Sequence, residues 1–378
     1  MPQREAMSAA RVVIAGGGLA AQRCAETLRR DGHEGPLTIV CGEALAPYDR
    51  PPLSKAFLAG DVEADGLALR PGTWHAEHGV DLVLGDRAAG LDADARRLRL
   101  SSGDALPYDR LVLATGSRPR ALAGTTGLAN VHALRTLADA QGLRAALRPG
   151  VRLVVLGAGL IGQEVAATAS HLGAQVTLVE AAPLPLGRAL HPELAQWLVD
   201  VQREEDVDVR LGAGVRELVA TGDRLDALLL DDGARIELDL LLVAIGVTPE
   251  VEWLGAPLPD LLTRPEILAA GDLAGGDHWE AAAHQGRATA RAILGLDPPR
   301  AAVTSWWSDV HGVRLQGLGS PHGATDLLVD GDRAARSFTA VALRDGAPIA
   351  ALAVDRPREV PRLRTLLTAD PDMAKEAA

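Results

Sequence analysis

Two glycine-rich turns, about 140 residues apart, constrain this chain more than any other feature. They occupy residues 16–21, which read G-x-G-x-x-A, and residues 157–162, which read G-x-G-x-x-G. Each turn follows an apolar run typical of a buried strand and precedes a helical pattern and a second strand. Such a unit brings backbone amides at a helix N-terminus close to a pyrophosphate. Two units therefore predict two dinucleotide sites.

The first unit is predicted as a strand at residues 11–15, a helix that ends near Gly32 and a returning strand at residues 37–41. An acid that follows the returning strand would accept hydrogen bonds from a ribose. Glu43 stands near that place, although Gly42 occupies the more usual position. The predicted cofactor contacts of this unit are Gly16, Gly18, Leu19, Ala20, Ala21 and Glu43.

The second unit repeats the pattern, with a strand at residues 153–156, a helix at 163–172 and a strand at 175–179. Glu180 ends this strand, 18 residues after the last glycine. A carboxylate there accepts two ribose hydroxyls and repels a 2′-phosphate, which favours NADH over NADPH, although the nearby Arg188 complicates that choice. The predicted contacts are Gly157, Gly159, Leu160, Ile161, Gly162, Glu180 and Arg188.

A proline-rich stretch at residues 47–55 reads Pro-Tyr-Asp-Arg-Pro-Pro-Leu-Ser-Lys. Because proline restricts both its own backbone and the preceding residue, we expect Arg50 and Pro51 to be extended, with a short helix at residues 53–58. Arg50 suits phosphate oxygens, and Lys55 supplies a compact, movable charge. The chain has 38 Lys and Arg residues, of which only Lys55 and Lys375 are lysines. The scarcity of lysine favours a role for Lys55 at a cofactor. The alternative is that Lys55 is a surface lysine at a helix start.

Composition narrows the class of protein. The 378 residues include 40 glycines, and strands alternate with helices, which favours α/β architecture. A net charge of −12 argues against nucleic acid or an anionic membrane surface as the partner. Cys24 and Cys41 form neither a C-x-x-C motif nor a metal-ligand spacing, so we expect structural thiols, no metal site and a reduced, cytoplasmic setting. No apolar run approaches the ~20 residues of a membrane span.

The rest of the chain alternates between short strands and helices. We predict strands at 80–84, 97–100 and 109–116, a connector at 117–149 with a helix at 134–147, an antiparallel section at 207–230, strands at 239–245 and 267–270, and helices at 281–294 and 360–367.

From Arg11 onward the residues resemble the FAD-containing NADH:ferredoxin or rubredoxin reductases of bacterial oxygenase and cytochrome monooxygenase systems, which are putidaredoxin-reductase-like. The shared segments, in the order of that family, are PYDRPPLSK (47–55), LVLATGSRPR (111–120), GAGLIGQEVAATA (157–169), AAGD (269–272) and WSD (307–309). The resemblance implies two Rossmann-like dinucleotide-binding domains, arranged as in glutathione-reductase-like flavoproteins, and a small α+β C-terminal domain. The implied boundaries are 1–117 and 247–300 for the FAD domain, 118–246 for the NAD domain and 301–378 for the interface domain.

The resemblance also implies site residues. Arg50 would contact FAD, and Lys55 would lie near flavin N5, paired with Glu164. Taken alone, Glu164 reads equally well as an acid in a first helical turn, where the helix dipole favours it. Further positions implied to line the flavin are Ala114, Thr115, Gly116, Arg120, Asp272, Trp279 and Trp307, and Gly246 is implied to join the nicotinamide site.

The implied reaction is hydride transfer from nicotinamide C4 to flavin N5, with Lys55 stabilising developing charge. Electrons would then leave singly to a small acidic ferredoxin or rubredoxin docked near Trp306 and Trp307. The chain would act as a monomer or homodimer. Arg300, Arg314, Arg333 and Arg336 are either a docking patch for such a partner or solvated surface arginines.

Departures from the family pattern keep other functions open. Ala281 replaces a usual asparagine, and Val310 and His311 replace a usual Gln-Tyr. The segment between Pro249 and Ile267 is also short, which would open the flavin pocket or leave the sheet of the FAD domain less complete. One alternative is an NADH oxidase or biosynthetic flavoenzyme that reduces oxygen or a small organic acceptor. Another is a slow-turnover, NADH-sensing interaction protein.

Overall fold

The computed structural model describes residues 9–276, 278–300 and 303–368. These residues form two compact units. The first unit comprises residues 9–49, 64–118 and 248–300, and the second comprises residues 50–63, 119–247 and 303–368. Lys375 and most of the first ten residues lie outside the described ranges.

The helices are named α1 to α9 in chain order. They are α1 (Leu19–Arg30), α2 (Ala56–Ala59), α3 (Trp74–Glu77), α4 (Leu137–Ala146), α5 (Leu160–His171), α6 (Pro192–Glu204), α7 (Leu258–Leu261), α8 (Trp279–Ile293) and α9 (Val360–Thr368). Short 3₁₀ helices occur at Pro51–Ser54, Ala64–Leu67, Glu252–Leu254, Asp272–Ala274 and Pro357–Glu359.

The strands are named β1 to β23 in the same way. They are β1 (Val12–Ala15), β2 (Leu37–Cys41), β3 (Val80–Leu84), β4 (Ala88–Asp92), β5 (Arg97–Leu100), β6 (Ala105–Pro107), β7 (Arg110–Leu113), β8 (Ser117–Pro119), β9 (Val131–His132), β10 (Arg152–Leu156), β11 (Gln175–Glu180), β12 (Asp208–Leu211), β13 (Val215–Thr221), β14 (Arg224–Leu230), β15 (Arg235–Glu237), β16 (Leu240–Val243), β17 (Val247–Pro249), β18 (Ile267–Ala269), β19 (Ser305–Val310), β20 (Val313–Gly319), β21 (Asp326–Asp332), β22 (Ser337–Arg344) and β23 (Ala347–Val354).

The first unit is built on a five-stranded parallel sheet in the order β18-β7-β1-β2-β3. Strand β1 is buried along its whole length, and its side chains alternate between the two faces. Val12 and Ile14 join a core with helices α1 and α8. Val13 and Ala15 join a second core that also contains Leu254 from the stretch between β17 and β18. The sheet is therefore covered on both faces, as parallel sheets require.

The second unit repeats this plan with a parallel sheet in the order β12-β11-β10-β16-β9. Residues 207–230 were predicted to form an antiparallel section, but β12 at the start of this range pairs in parallel with β11. Only β13, β14 and β15 form the antiparallel section. The prediction was wrong at β12 because its four residues, with Val209 facing inward, extend the α/β unit before the antiparallel hairpin begins.

The C-terminal part of the second unit is a five-stranded antiparallel sheet in the order β19-β20-β23-β22-β21. Its core joins residues of helix α6, such as Leu194 and Leu198, with Trp306, Val310 and Phe338 of the sheet. The predicted α/β fold class, with two parallel dinucleotide-type sheets and a small α+β C-terminal domain, is confirmed. Within the ranges that the structure covers, helices fall short of the length and apolar character that a membrane crossing requires.

Three helices begin elsewhere than predicted, and the smallest difference is at α8, which starts at Trp279 instead of residue 281. Helix α4 starts at Leu137 instead of residue 134, because Thr136 caps it: the Thr136 side chain accepts from the Asp139 amide at 3.2 Å, and the Asp139 carboxylate accepts from the Thr136 amide at 2.8 Å. Helix α5 starts at Leu160 instead of Gln163, so Gly162 lies inside it. Glu164 is therefore in the second turn, and its reading as a first-turn acid was wrong.

Candidate functional site

The first glycine turn leaves the N-terminus of helix α1 open. Gly16 has φ +125°, and a Cβ there would lie 2.0 Å from the Ala114 carbonyl oxygen, so only glycine fits. Gly18 is the N-cap of α1, and a Cβ added to it would meet nothing within 4 Å. No side chain of the described residues caps the helix, and the first turn of α1 has no acid. The amides of Leu19, Ala20 and the following residue thus keep space and donors for a diphosphate.

The acid after β2 is already engaged by a side chain. The Tyr48 hydroxyl donates to Glu43 Oε2 at 2.7 Å, and Tyr48 itself is buried. Glu43 is half-buried. A ribose contact for Glu43 stays a prediction.

The other predicted flavin residues of the first unit meet at the carboxyl end of its sheet. Ala114, Thr115 and Gly116 follow β7, and Thr115 Oγ1 donates to the Glu250 carbonyl at 2.9 Å. Asp272 follows β18 and accepts from Ser117 Oγ at 2.7 Å. Trp279 opens helix α8 and donates from Nε1 to Asp49 Oδ1 at 2.7 Å. Ligands of open α/β sheets bind outside this edge, so the placement suits a nucleotide.

The second glycine turn has the same design. Gly157 has φ +103°, and a Cβ there would lie 2.4 Å from the Ala244 carbonyl oxygen. A Cβ on Gly162 would lie 1.9 Å from the Gly157 oxygen, whereas one on Gly159 would meet nothing within 4 Å. No described side chain caps helix α5, and its first turn has no acid. Leu160 and Ile161 follow Gly159 as the first residues of the helix, and Ile161 is 37% exposed. This turn also fits a diphosphate.

Glu180 is oriented by the backbone around this turn. Its Oε2 accepts from the Ala158 amide and its Oε1 from the Ala182 amide, each at 2.8 Å. Each oxygen keeps a lone pair for a ribose hydroxyl. Arg188 is exposed. Gly246 has φ +98°, and its carbonyl accepts from the Arg120 amide at 2.9 Å, which places these two predicted residues together.

The proline stretch turns earlier than predicted. Arg50 has φ −86° and ψ −31°, a helical conformation, and Pro51 begins a 3₁₀ helix, so the prediction of extended Arg50 and Pro51 was wrong. The Leu53 amide donates to the Arg50 carbonyl at 2.9 Å, and prolines are tolerated at these first positions because no amide is needed there. The predicted single helix is also divided at Lys55, whose φ is −125° and ψ −109°. The Arg50 guanidinium donates to the Arg135 carbonyl at 2.6 Å.

Lys55 and Glu164 form a buried ion pair in the second unit. Lys55 Nζ lies 2.8 Å from Glu164 Oε2, with side chains 16% and 6% exposed. Ser54 Oγ donates to the same oxygen, and Ser308 Oγ donates to Glu164 Oε1 at 2.8 Å. The predicted pairing of Lys55 with Glu164 is thus present in the geometry. The two serines were not singled out from the sequence, although both lie in the shared segments and a buried carboxylate needs such donors.

The predicted docking edge is smaller than expected. Trp306 is 4% exposed and packs in the core, so of the two tryptophans only Trp307 reaches the surface. The Arg314 guanidinium lies 5.7 Å from the Trp307 ring centroid and pairs with Asp309 at 3.1 Å.

The arginines proposed as a docking patch are largely neutralised by acids. Arg333 pairs with Glu193 at 3.3 Å, and Arg336 pairs with Glu204 at 2.9 Å and Glu205 at 2.7 Å. Arg300 is exposed.

The cysteines have the environment of structural thiols. Cys24 and Cys41 are both free and buried in the core around α1. Burial raises the pKa of each thiol to about 12, and for Cys41 the nearby Glu43 adds to the effect. Neither is poised as a thiolate nucleophile at neutral pH.

Comparison with known proteins identifies the family. Residues 10–286 match the pyridine nucleotide-disulphide oxidoreductase family, and residues 305–378 match the reductase C-terminal family. The chain is 35% identical to the 5,5′-dehydrodivanillate O-demethylase ferredoxin reductase subunit of a Sphingobium species, over 94% of this chain and 92% of that protein. It is 36% identical to the ferredoxin–NAD(+) reductase component of the biphenyl dioxygenase system of Paraburkholderia xenovorans, over 92% and 90%.

A solved structure agrees with the sequence comparison. The covalent complex of putidaredoxin reductase with putidaredoxin matches with a TM-score of 0.89 at 33% identity, over 97% of this chain and 95% of the matched chain. The resemblance inferred from the sequence motifs is therefore confirmed. The chain belongs to the pyridine nucleotide-disulphide oxidoreductase family, in the branch that carries a reductase C-terminal domain.

Proposed function

We propose that this protein is an FAD-dependent NADH:ferredoxin reductase that feeds electrons to an oxygenase or a cytochrome monooxygenase. The observation that carries the proposal is the pair of open glycine turns in a chain whose only two thiols are buried. Such a chain binds two dinucleotides but has no redox disulfide, so a bound flavin is the centre that accepts electrons. Relatives named as ferredoxin reductases support the choice of acceptor.

The two turns have separate tasks in this proposal. The turn of the first unit binds the diphosphate of FAD, with Asp272, Thr115 and Trp279 at the same sheet edge. The turn of the second unit binds NADH, and Glu180 accepts the ribose hydroxyls and disfavours a 2′-phosphate. The division into an FAD domain, an NAD domain and a C-terminal interface domain stays a prediction.

Lys55 is the residue proposed to act on the transferred charge. When bound, the flavin supplies the site that accepts hydride from NADH and then releases electrons singly. The Lys55 ammonium stabilises negative charge that develops beside it, and Glu164 keeps that ammonium in place. In a site of low dielectric such a fixed charge needs no reorganisation during the reaction.

The physiological acceptor is proposed to be a small acidic ferredoxin or rubredoxin in the cytoplasm. It would dock at the face that carries Trp307. A second candidate, an NADH oxidase, is favoured by one observation: Arg314, Arg333 and Arg336 are paired with acids, so this part of the chain offers an acidic partner less positive charge than the number of arginines suggests.

A panel of acceptors separates the two candidates. The purified yellow protein is reduced by NADH under anaerobic conditions and then mixed with ferredoxins, quinones or oxygen, with cytochrome c as the terminal reporter. Rapid cytochrome reduction that requires added ferredoxin supports the reductase. Oxygen consumption at the same rate with or without ferredoxin would support the oxidase instead.

A further inference from the structure

Two buried hydroxyls donate hydrogen bonds to the Glu164 carboxylate. Ser308 is 0% exposed on β19, and its Oγ donates to Oε1. Ser54 is 4% exposed, and its Oγ donates to Oε2, the oxygen that also meets Lys55. Each oxygen of the carboxylate has a donor on a different element. Rotation of the carboxylate would therefore break at least one charge-assisted hydrogen bond.

We propose that Ser308, assisted by Ser54, is a positioning residue that fixes Glu164 and through it the Lys55 ammonium for hydride transfer. The proposal rests on the function proposed above, in which Lys55 stabilises the developing charge. A lysine has a flexible four-carbon stem, so its charge is placed only as well as its partner is placed. A carboxylate clamped at both oxygens is a fixed partner, whereas one bound at a single oxygen can turn.

Further hydrogen bonds connect helix α5 with the proline stretch and, through helix α6, with the end of β19. Thr168, one turn after Glu164 on helix α5, donates from Oγ1 to the Ser54 carbonyl at 2.9 Å. His311, at the turn after β19, lies 2.8 Å from Gln202 Oε1 through Nε2. The buried Gln202 amide donates to the Gln163 carbonyl at 3.1 Å and to Gln163 Oε1 at 2.7 Å, which makes His311 Nε2 the donor.

The C-terminal sheet thus reaches two adjacent residues of α5. Ser308 contacts Glu164 directly, and His311 contacts Gln163 through Gln202. The start of this helix follows the glycine turn proposed for NADH. In this view the C-terminal domain is part of the hydride-transfer site as well as a docking platform.

The first test is the rate of flavin reduction by NADH in Ser308→Ala. We expect this variant of the FAD-loaded protein to be reduced about tenfold more slowly at saturating NADH in anaerobic stopped flow, with an unchanged Kd for NADH. Ser54→Ala should act in the same direction and serves as the second variant if Ser308→Ala folds poorly. Ser305→Ala is the matched control, because it removes a buried hydroxyl from the same strand three residues earlier, on the opposite face. It should reduce at the wild-type rate.

The second test observes Lys55 without any turnover. The chain has only two lysines, so ¹³Cε-lysine labelling gives one signal from Lys55 and one from Lys375, and Lys375→Arg assigns them. A fixed Lys55 shows two distinct Hε frequencies. In Ser308→Ala these should merge, as the side chain becomes mobile, and in Ser305→Ala they should stay apart.

The outcomes separate this proposal from the proposed function. Distinct Hε frequencies and a wild-type reduction rate in Ser308→Ala would overturn the positioning role. Merged frequencies with a wild-type rate would instead contradict the use of the Lys55–Glu164 pair in hydride transfer, and with it the purpose of the clamp. In a Glu164→Gln background Ser308→Ala should cause no further loss of rate; a full additional loss would mean that Ser308 acts through general structure.

Discussion

The two glycine turns share a backbone design but differ in the acid that follows each one. In both turns the first glycine lies against a backbone carbonyl, where a Cβ would come within 2.0 Å at Gly16 and 2.4 Å at Gly157. Glu180, after the second turn, accepts two backbone amides, one of them from Ala158 inside the turn. Glu43, after the first turn, accepts the hydroxyl of the Tyr48 side chain.

We infer from this difference that nucleotide selection would be a property of the second turn and not of the first. Glu180 cannot move without disturbing the backbone of the turn proposed to bind the NADH diphosphate, so we expect ribose and diphosphate recognition to be coupled in the second unit. Glu43 accepts a hydrogen bond from a tyrosine of the proline stretch, Tyr48. We expect the second turn to discriminate between exchangeable nucleotides and the first to retain one nucleotide.

The largest expected effect comes from adding a methyl group at the first glycine of each turn. In both variants the added Cβ meets a backbone carbonyl at a residue with positive φ. Gly16→Ala should therefore lose FAD and give a colourless protein. Gly157→Ala should keep FAD, but NADH should reduce it more than about 100-fold more slowly. Absorbance spectra and stopped-flow reduction measure the two losses. Gly142→Ala, in helix α4 with nothing within 4 Å of the added Cβ, is the control. The same loss of FAD from both variants would break the assignment of the turns.

The next effect concerns the ion pair after the second turn. Lys55→Ala should retain FAD and lose about 100-fold in the rate of flavin reduction, because one preorganised charge is removed from the site. Anaerobic stopped flow at saturating NADH measures the rate, and Lys375→Arg is the control for the other lysine. Reduction of Lys55→Ala at the wild-type rate would remove this residue from the mechanism.

Sequence alone predicted the backbone of both turns better than the side chains around them. Gly16 and Gly157 are readable because their conformation and close approach admit only glycine, and the alternation in β1 is readable as burial on two faces. The Lys55–Glu164 partnership came from a family resemblance, since the residues are over 100 positions apart. Ser308 and Ser54 were missed because a serine carries no pattern until the buried acid beside it is known. Arg50 was misjudged because a preference before proline is weaker than a 3₁₀ turn closed by Leu53.

A smaller effect tests the two acids directly. Glu180→Ala should lower the ratio of kcat/KM for NADH over NADPH by about tenfold or more, because the variant lacks both the ribose acceptor and the repulsion of a 2′-phosphate. Glu43→Ala should leave that ratio unchanged. Steady-state kinetics with both nucleotides and a constant acceptor measure the ratio. An unchanged ratio in Glu180→Ala, or an equal fall in Glu43→Ala, would refute the contrast between the turns.

The smallest expected effect concerns two ion pairs at the start of strands β1 and β10, at the sheet edges opposite the glycine turns. Asp239 holds Arg152, which precedes the buried part of β10, and Asp109 holds Arg11, which precedes β1. Hydrogen bonds from the Arg152 side chain and then its amide lower the pKa of Asp239 from 3.8 to about 2. A depressed folded-state pKa adds stability above pH ~4 that is lost as the pH falls towards ~2.

Asp239→Asn should therefore lower the free energy of unfolding at pH 7 by about 1 kcal/mol, a value discounted because the pair is partly exposed to solvent. The difference from wild type should shrink as the pH falls below about 4. Urea unfolding at several pH values measures it. Asp109→Asn should cost less, because the Arg11 guanidinium lies 3.5 Å away instead of the 2.8 Å of Arg152. A pH-independent loss in Asp239→Asn would show that the carboxylate charge is not the cause.

Anaerobic titration of the purified wild-type protein with NADH tests the central claim most directly. Two dinucleotide turns with separate tasks predict one FAD per chain and complete bleaching of the flavin absorbance by one equivalent of NADH. A protein without bound flavin, or a bound flavin that NADH does not bleach, would contradict the account.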